Sequence, residues 1–159
     1  MIELKIKGFA LDQNQMPIVI LNDESGGHIL PISIGPFEAS AIIVELEDIK
    51  PPLPLTHDSF SNLMQRHGYK MDRLEIYDRL SQYIYLAGIR YHRGFRHFRM
   101  EIRPSDGLAL AVRMDAPILA AEELLSPPAD QFPIIECAGN ISAKIMFLNT
   151  EEKRNTLIM

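Results

Sequence analysis

The feature of this sequence that most constrains its fold is an internal repeat at an offset of 68 residues. The stretch "ISIGPFEASAIIVEL" begins at Ile32, and the similar stretch "MEIRPSDGLALAVRM" begins at Met100. Each copy places a proline at the start of an apolar helix, where its missing N–H costs nothing, and each follows about three strand-like segments. The matched residues are Ile34, Pro36, Glu38, Ala39, Ala41, Ile42 and Val44 in the first copy and Ile102, Pro104, Asp106, Gly107, Ala109, Leu110 and Val112 in the second.

The repeat predicts an α+β fold. Two units of three strands and a helix form a mostly antiparallel sheet, and a further helix is inserted between the copies. We expect the first helix to run from Pro36 to about Ile49. The inserted helix is expected to follow the stiff segment "KPPLPL", with Thr56 as its N-cap and its end at Gly68.

Length and breaks in the pattern predict one domain. The chain has 159 residues, enough to bury a core, and the domain is placed at residues 1–125. The segment "SPPADQFP" then interrupts the pattern. Residues 126–159 are predicted to be a C-terminal extension, for which a helix, a tail packed on a partner subunit and disorder all remain open.

Composition excludes several classes of protein. No run of 18 or more apolar residues is present, so we expect no contact with a membrane. The only cysteine, Cys137, forms no internal disulfide and no thiolate zinc site, and a lone thiol fits a reducing cytoplasm. The net charge of −5 argues against indiscriminate coating of nucleic acid.

One segment departs from this charge balance. Residues 90–103, "RYHRGFRHFRMEIR", hold five arginines against Glu101 alone. The pattern predicts a β-hairpin that turns near His92–Gly94, after an earlier turn at "DRLS". Interleaved arginines and aromatics are typical of a surface that follows a nucleic-acid backbone, and equally of a solvated edge strand whose charges prevent association. The arginines in question are Arg90, Arg93, Arg96 and Arg99.

The acids of the repeat have two interpretations. Glu38 and Asp106 both fall at the third helical position, where a carboxylate can accept hydrogen bonds from free backbone N–H groups. That structural role requires neither Arg103 nor Ser105. Gly35 stands where the second copy has Arg103, so the arginine is specific to the second copy.

The dipeptide His57–Asp58 is the other candidate for chemistry. It is placed at the first two positions of the inserted helix, where the histidine is either an exposed residue of a capped helix or a general acid, base or metal ligand. No phosphate-binding loop, dinucleotide-binding motif, zinc-protease motif or nucleophile elbow accompanies it.

Three motifs in this order, "LPISIGPFEASAI", "LTHD" and "IRPSDGLALAVR", make the sequence resemble the bifunctional nuclease domain family. The likeness covers roughly residues 1–125. Two departures stand out: the arginine usual before Thr-His-Asp is absent, and Gly107 replaces the commoner alanine. The motif positions that carry over are Glu38, Thr56, His57, Asp58, Arg103, Ser105 and Asp106.

The resemblance implies a homodimer and, from the plant members, nuclease activity on DNA and RNA. Our leading hypothesis is a phosphodiesterase in which Glu38, Asp58 and Asp106 hold Mg²⁺ or Mn²⁺. His57 is then the general base, and Arg103 stabilises charge on the phosphate, beside Ser105. The alternative is a non-catalytic, homodimeric binding or regulatory module whose motifs are helix caps and dimer contacts. That alternative predicts acids that face backbone N–H groups and no open polar cleft.

Overall fold

The computed structural model describes residues 1–81, 84–127 and 135–136 of the chain. Within them it has three α-helices and one mixed sheet. The strands are β1 (Ile2–Leu11), β2 (Pro17–Asn22), β3 (Ile29–Ser33), β4 (Lys70–Ser81), β5 (Ile84–Arg93), β6 (Arg96–Ile102), β7 (Ile118–Ala120) and β8 (Ile135–Glu136). The helices are α1 (Pro36–Leu46), α2 (Thr56–Arg66) and α3 (Pro104–Met114).

The structure confirms the duplication. Shifting the bounds of α1 by 68 residues gives those of α3, and the same shift carries β1, β2 and β3 onto β4, β5 and β6. Helix α2 lies between the two copies in sequence, as the inserted helix of the prediction does. The α+β fold with duplicated units is therefore confirmed.

Strand β7 joins the two copies into one sheet. The strand order is β3-β2-β1-β7-β4-β5-β6, and every neighbouring pair is antiparallel except β4 and β7. Strand β7 is only three residues long. On one side it pairs with β1, where Ile2 is opposite Ala120, and on the other side it pairs with β4, where Leu74 is opposite Ile118. So short a strand has no detectable periodicity, which is why the sequence did not predict it. β8 pairs with β1 at Gly8 and Phe9.

The core lies between the sheet and the helices. Helix α3 packs against α1, α2, β4 and β5. Alternate residues of the central strands, such as Leu74, Ile76 and Ile89, are fully buried against Leu108 of α3. β3 also contacts β5, so the ends of the sheet approach each other beside the starts of α1 and α3.

Two helix boundaries differ from the prediction. α1 ends at Leu46 rather than near Ile49, because Asp48 adopts a left-handed backbone conformation (φ 49°). Thr56 is the first residue of α2 instead of its N-cap, which is Leu55. The last residue of α2 is Arg66, and the predicted stop, Gly68, follows two residues later with a left-handed φ of 75°.

Two predicted turns also move. "DRLS" lies inside β4, where Asp78 pairs with Leu86 and Ser81 with Ile84. The hairpin turns at Gly94–Phe95 rather than at His92–Gly94, since Gly94 supplies the positive φ that a two-residue turn needs.

Most of the predicted extension, residues 126–159, lies outside the described residues. Ser126 forms a backbone bridge with Ile29. Among the helices of the described part, none is long and apolar enough to cross a membrane.

Candidate functional site

The starts of α2 and α3 meet through a histidine–carboxylate pair. His57, the second residue of α2, places its Nε2 3.1 Å from Oδ1 of Asp106, the third residue of α3. A carboxylate only accepts hydrogen bonds, so the Nε2–H of a neutral imidazole donates and Nδ1 keeps the basic lone pair. The contact brings together two residues that are 49 positions apart.

Arg103, the N-cap of α3, connects this pair to α1. Its Nε donates to Asp106 Oδ2 at 2.6 Å and its second terminal nitrogen donates to Asp106 Oδ1 at 3.1 Å. The other terminal nitrogen lies 3.2 Å from Oε1 of Glu38. These contacts use three of the five guanidinium N–H groups, and the side chain is 68% exposed. Within the part of the chain that the structure describes, two N–H groups are therefore left for an external acceptor.

Gly35 makes room for the Glu38 carboxylate. A Cβ added to Gly35 would lie 2.1 Å from Glu38 Oε2, so any other residue at the N-cap of α1 displaces that side chain. Gly35 is the counterpart of Arg103 in the repeat. The first copy thus leaves space at the start of α1 by having Gly35 there. The second copy places the cation of Arg103 at the start of α3.

Asp106 stays ionised in this setting. Burial alone raises the pKa of its carboxyl, but the hydrogen bonds from Arg103 and His57 outweigh it, and the pKa falls below the ordinary value. The carboxylate is therefore available to orient the imidazole across the neutral pH range. The helix-cap interpretation does not describe Asp106, whose partners are side chains.

Asp58 does act as a helix cap. Its Oδ2 accepts a hydrogen bond from the Leu55 N–H at 2.7 Å, and its Oδ1 accepts one from Arg113 Nε at 2.6 Å. Burial raises the pKa of the Asp58 carboxyl, and the bonds from Arg113 and Leu55 lower it by more, so the pKa lies below its ordinary value. Both oxygens are committed to holding the start of α2.

The structure does not gather Glu38, Asp58 and Asp106 into one ligand set. Each carboxylate is paired with an arginine, and only one group of metal-ligating side chains in the described residues has its ligand atoms within 4.8 Å of one another. That group consists of Asp72, His92 and His97. Mg²⁺ or Mn²⁺ at the three predicted carboxylates stays a prediction, and binding there requires the arginines to move.

An open cleft of about 780 Å³ lies beside the cluster, where the ends of the sheet approach each other. Its wall includes Glu38, Arg103 and Ser105 from the predicted site, together with Asp12 and Glu101. Ser105 is buried, and the lining does not include His57 or Asp106, which are connected to the wall through the contact of Asp106 with Arg103. The rest of the lining is mainly apolar, with Met16, Ile32, Ile34, Ile84, Tyr85, Leu86, Ala87 and Ile102.

The four hairpin arginines do not form one stripe. Residues opposite each other in an antiparallel pair share a face, and the register places Arg90 opposite Arg99 and Arg93 opposite Arg96. The two pairs therefore lie on opposite faces. Arg90 and Arg99 are paired with Glu75 and Glu101, whereas Arg93 stacks on Tyr69. β6 is an edge strand of the sheet, as expected from the interpretation of this segment as a solvated edge strand whose charges prevent association.

Sequence reasoning missed Arg113, whose side chain is only 3% exposed. The signal was present: in "LALAVRM" an arginine interrupts an apolar run one turn after Ala109, a core position of α3. A cation at such a position predicts a buried acidic partner. Its terminal nitrogen Nη1 donates to Ala109 O at 2.9 Å, which fixes the guanidinium against the helix.

Comparison with known proteins gives two results. The sequence model described as "Bifunctional nuclease domain" matches residues 19–131. Two uncharacterized proteins of Mycobacterium tuberculosis, from strains CDC 1551 and H37Rv, are each 34% identical to this chain over 125 residues, which is 78% of this chain and 74% of theirs.

Proposed function

This chain belongs to the bifunctional nuclease domain family, and from that premise we propose that it hydrolyses phosphodiester bonds in nucleic acid. One observation carries the proposal: an imidazole oriented by an ionised carboxylate lies beside an arginine with two free N–H groups at the wall of an open cleft. A base, its orienting acid and an anion-binding cation are what metal-free hydrolysis of a phosphodiester needs. The alternative of a non-catalytic module predicts acids that face backbone N–H groups, and the bonds of Asp106 to the side chains of His57 and Arg103 favour the hydrolytic function instead.

In the proposed reaction, Arg103 binds a non-bridging phosphate oxygen with the two N–H groups that Asp106 and Glu38 leave free. His57 Nδ1, which has no hydrogen-bond partner among the described residues, takes a proton from the attacking water. The water oxygen bonds to phosphorus, the ester P–O bond breaks, and the departing oxygen takes a proton from solvent. Asp106 stabilises the imidazolium that forms.

Glu38 is a competitor of the substrate in this proposal. Its carboxylate lies 3.2 Å from a terminal nitrogen of Arg103, where its negative charge weakens the binding of a phosphate to the two free N–H groups of the same guanidinium. The apolar cleft lining suits an unstacked base, so single-stranded nucleic acid is the proposed substrate. Arg93 and Arg96, on one face of the hairpin, are the proposed contacts to the backbone of the strand.

The test is hydrolysis of labelled single-stranded DNA and RNA, with and without EDTA, by the wild type, His57→Ala and Asp106→Asn. We expect each variant to lose activity by about 100-fold or more, the usual contribution of a general base. His28→Ala is the matched control, since it removes another histidine–carboxylate pair of 3.1 Å, with Asp23. Equal trace activity in all four proteins indicates a contaminant and supports the binding module. Loss of activity in EDTA supports the predicted metal ion and contradicts the metal-free step.

We also propose that the chain is a homodimer. An apolar groove of about 300 Å³ lies between α2 and the hairpin, and Leu63 on its rim is 55% exposed. Apolar surface of this kind marks an interaction site, and a second copy supplies a matching apolar face.

Light scattering on the protein as it elutes from a size-exclusion column is expected to give twice the chain mass for the wild type and the single mass for Leu63→Arg. A monomeric wild type contradicts the proposal. The groove is lined by Phe60, Leu63, Met64, His67, Tyr69, Tyr91 and Met100.

A further inference from the structure

A second cluster of chemically active side chains lies away from the nuclease-like site. Asp72 Oδ1 is 2.5 Å from His92 Nδ1, and Asp72 Oδ2 is 3.8 Å from His97 Nδ1. His97 is six residues before Arg103, and β6 rises about 3.3 Å per residue, so the two clusters are roughly 20 Å apart.

Strand geometry explains why the three side chains meet. His92 and His97 are opposite each other in the hairpin, so both rings are on one face. Asp72 is the extra residue of a β-bulge in β4, between the pairs Met71–Tyr91 and Arg73–Arg90. A bulge redirects a side chain out of the regular alternation, and this one places the Asp72 carboxylate against both imidazoles.

The cluster is not a by-product of the duplicated fold. The corresponding residues of the first copy are Leu4, Glu24 and Ile29, none of them a histidine or an aspartate. Leu4 and Ile29 are buried core residues. The second copy alone therefore carries the three ligands, on an open face: His97 is 75% exposed and the other two side chains are part-exposed.

The donor spacing suits a tetrahedral ion. Zinc bonds to imidazole nitrogen and carboxylate oxygen are about 2.0–2.1 Å long, which places the donors about 3.4 Å apart. The separations of 2.5 Å and 3.8 Å, which start from different oxygens of Asp72, lie on either side of that value, and one ligand atom from each residue can be chosen so that all three are within 4.8 Å of one another. Small side-chain rotations are enough to bring the donor separations to about 3.4 Å. Imidazole ligands favour Zn²⁺ and its transition-metal neighbours over Mg²⁺ or Ca²⁺.

We infer that Asp72, His92 and His97 form a binding site for a divalent transition-metal ion, with Zn²⁺ as its representative. Three protein ligands leave the fourth position to water, as in zinc sites that are open to solvent. Both imidazoles bind through Nδ1, so the His92 Nδ1 hydrogen bond to Asp72 is exchanged for bonds to the ion.

The test is zinc binding by the full chain, stripped with EDTA, in competition with a chromophoric chelator. We expect one Zn²⁺ per chain. Asp72→Asn, His92→Ala and His97→Ala are each expected to weaken binding by about tenfold or more, since even indirect partners of a zinc ligand are worth that much. His28→Ala is the control, because its His28–Asp23 pair has no third ligand among the residues that the structure describes. A Cys137→Ser background removes the only thiol.

A second measurement uses the wild type alone, in case a variant fails to fold. Of the five histidines, only the imidazole resonances of His92 and His97 are expected to shift on addition of Zn²⁺ in the proton NMR spectrum. Shifts at His57 instead, uniform weak shifts at all five, or wild-type affinity in all three variants would overturn the assignment.

Discussion

Replacing Arg113 with methionine is expected to destabilise the fold by about 2–3 kcal/mol. The side chain is 3% exposed, and its Nε lies 2.6 Å from Asp58 Oδ1. Removing one member of a buried ion pair costs about 3–5 kcal/mol, because the other charge remains uncompensated. We take a lower figure for two reasons: Asp58 is 24% exposed and so reaches water, and it keeps its bond from the Leu55 N–H.

The assay is chemical unfolding followed by circular dichroism at neutral pH, with Arg66→Met as the matched control. Arg66 is exposed near the end of α2, and such surface changes stay within about 0.5 kcal/mol. For a chain of this size the loss predicted for Arg113→Met lowers Tm by roughly 4–12 °C. Asp58→Asn combined with Arg113→Met is expected to cost less than the sum of the two changes.

The pH dependence gives a sharper test. The pKa of Asp58 is lowered in the folded protein, so the stability that the ion pair contributes is present above the ordinary value of 3.8. It is lost as pH falls through the lower, folded pKa. The deficit of Arg113→Met is therefore expected to shrink in acid. A deficit that equals that of Arg66→Met, or one that is the same at neutral and acid pH, would refute the reasoning.

Three further predictions concern the site and the hairpin. Asp106→Asn is expected to lose stability at neutral pH and to approach the wild type in acid, as pH falls below the ordinary carboxyl pKa of 3.8, in the same unfolding assay, because the folded pKa of Asp106 is lowered. Gly35→Ala is expected to push Glu38 off Arg103 and lower KM for single-stranded DNA, and an unchanged KM contradicts the competition between Glu38 and phosphate. Arg96→Ser is expected to reduce the slope of log affinity against log salt by about 1, measured by fluorescence anisotropy, and an unchanged slope places the strand elsewhere.

The architecture could be predicted from the sequence because the unit of three strands and a helix occurs twice along the chain. Two helices that begin with proline, at the same distance from three strand-like segments, leave few topologies open. The sequence also placed His57, Arg103 and Asp106 among the candidates, and the structure brings these three into contact. Their proposed roles in catalysis stay predictions.

What the sequence did not provide came from tertiary geometry. Whether Asp58 faces a substrate or a buried cation depends on how α2 packs against α3. In the structure this packing places Arg113 Nε against the Asp58 carboxylate. Which arginines of the two strands share a face depends on the position of the turn, which is at Gly94–Phe95 rather than at His92–Gly94. A β-bulge such as the one at Asp72 leaves no mark on hydrophobic periodicity, so its cluster with His92 and His97 was invisible before the strands were aligned.

The position of β7 has a consequence for synthesis on the ribosome. The first copy can form β1, β2, β3 and α1 soon after they emerge, yet the amino-terminal half of β1 has no partner on its β7 side until Ile118–Ala120 is made. Ile2 then pairs with Ala120, which closes a loop of nearly the whole domain and carries a correspondingly large entropic cost. The nascent chain therefore carries an open strand edge through most of its translation. This strand is where we expect a chaperone to bind first.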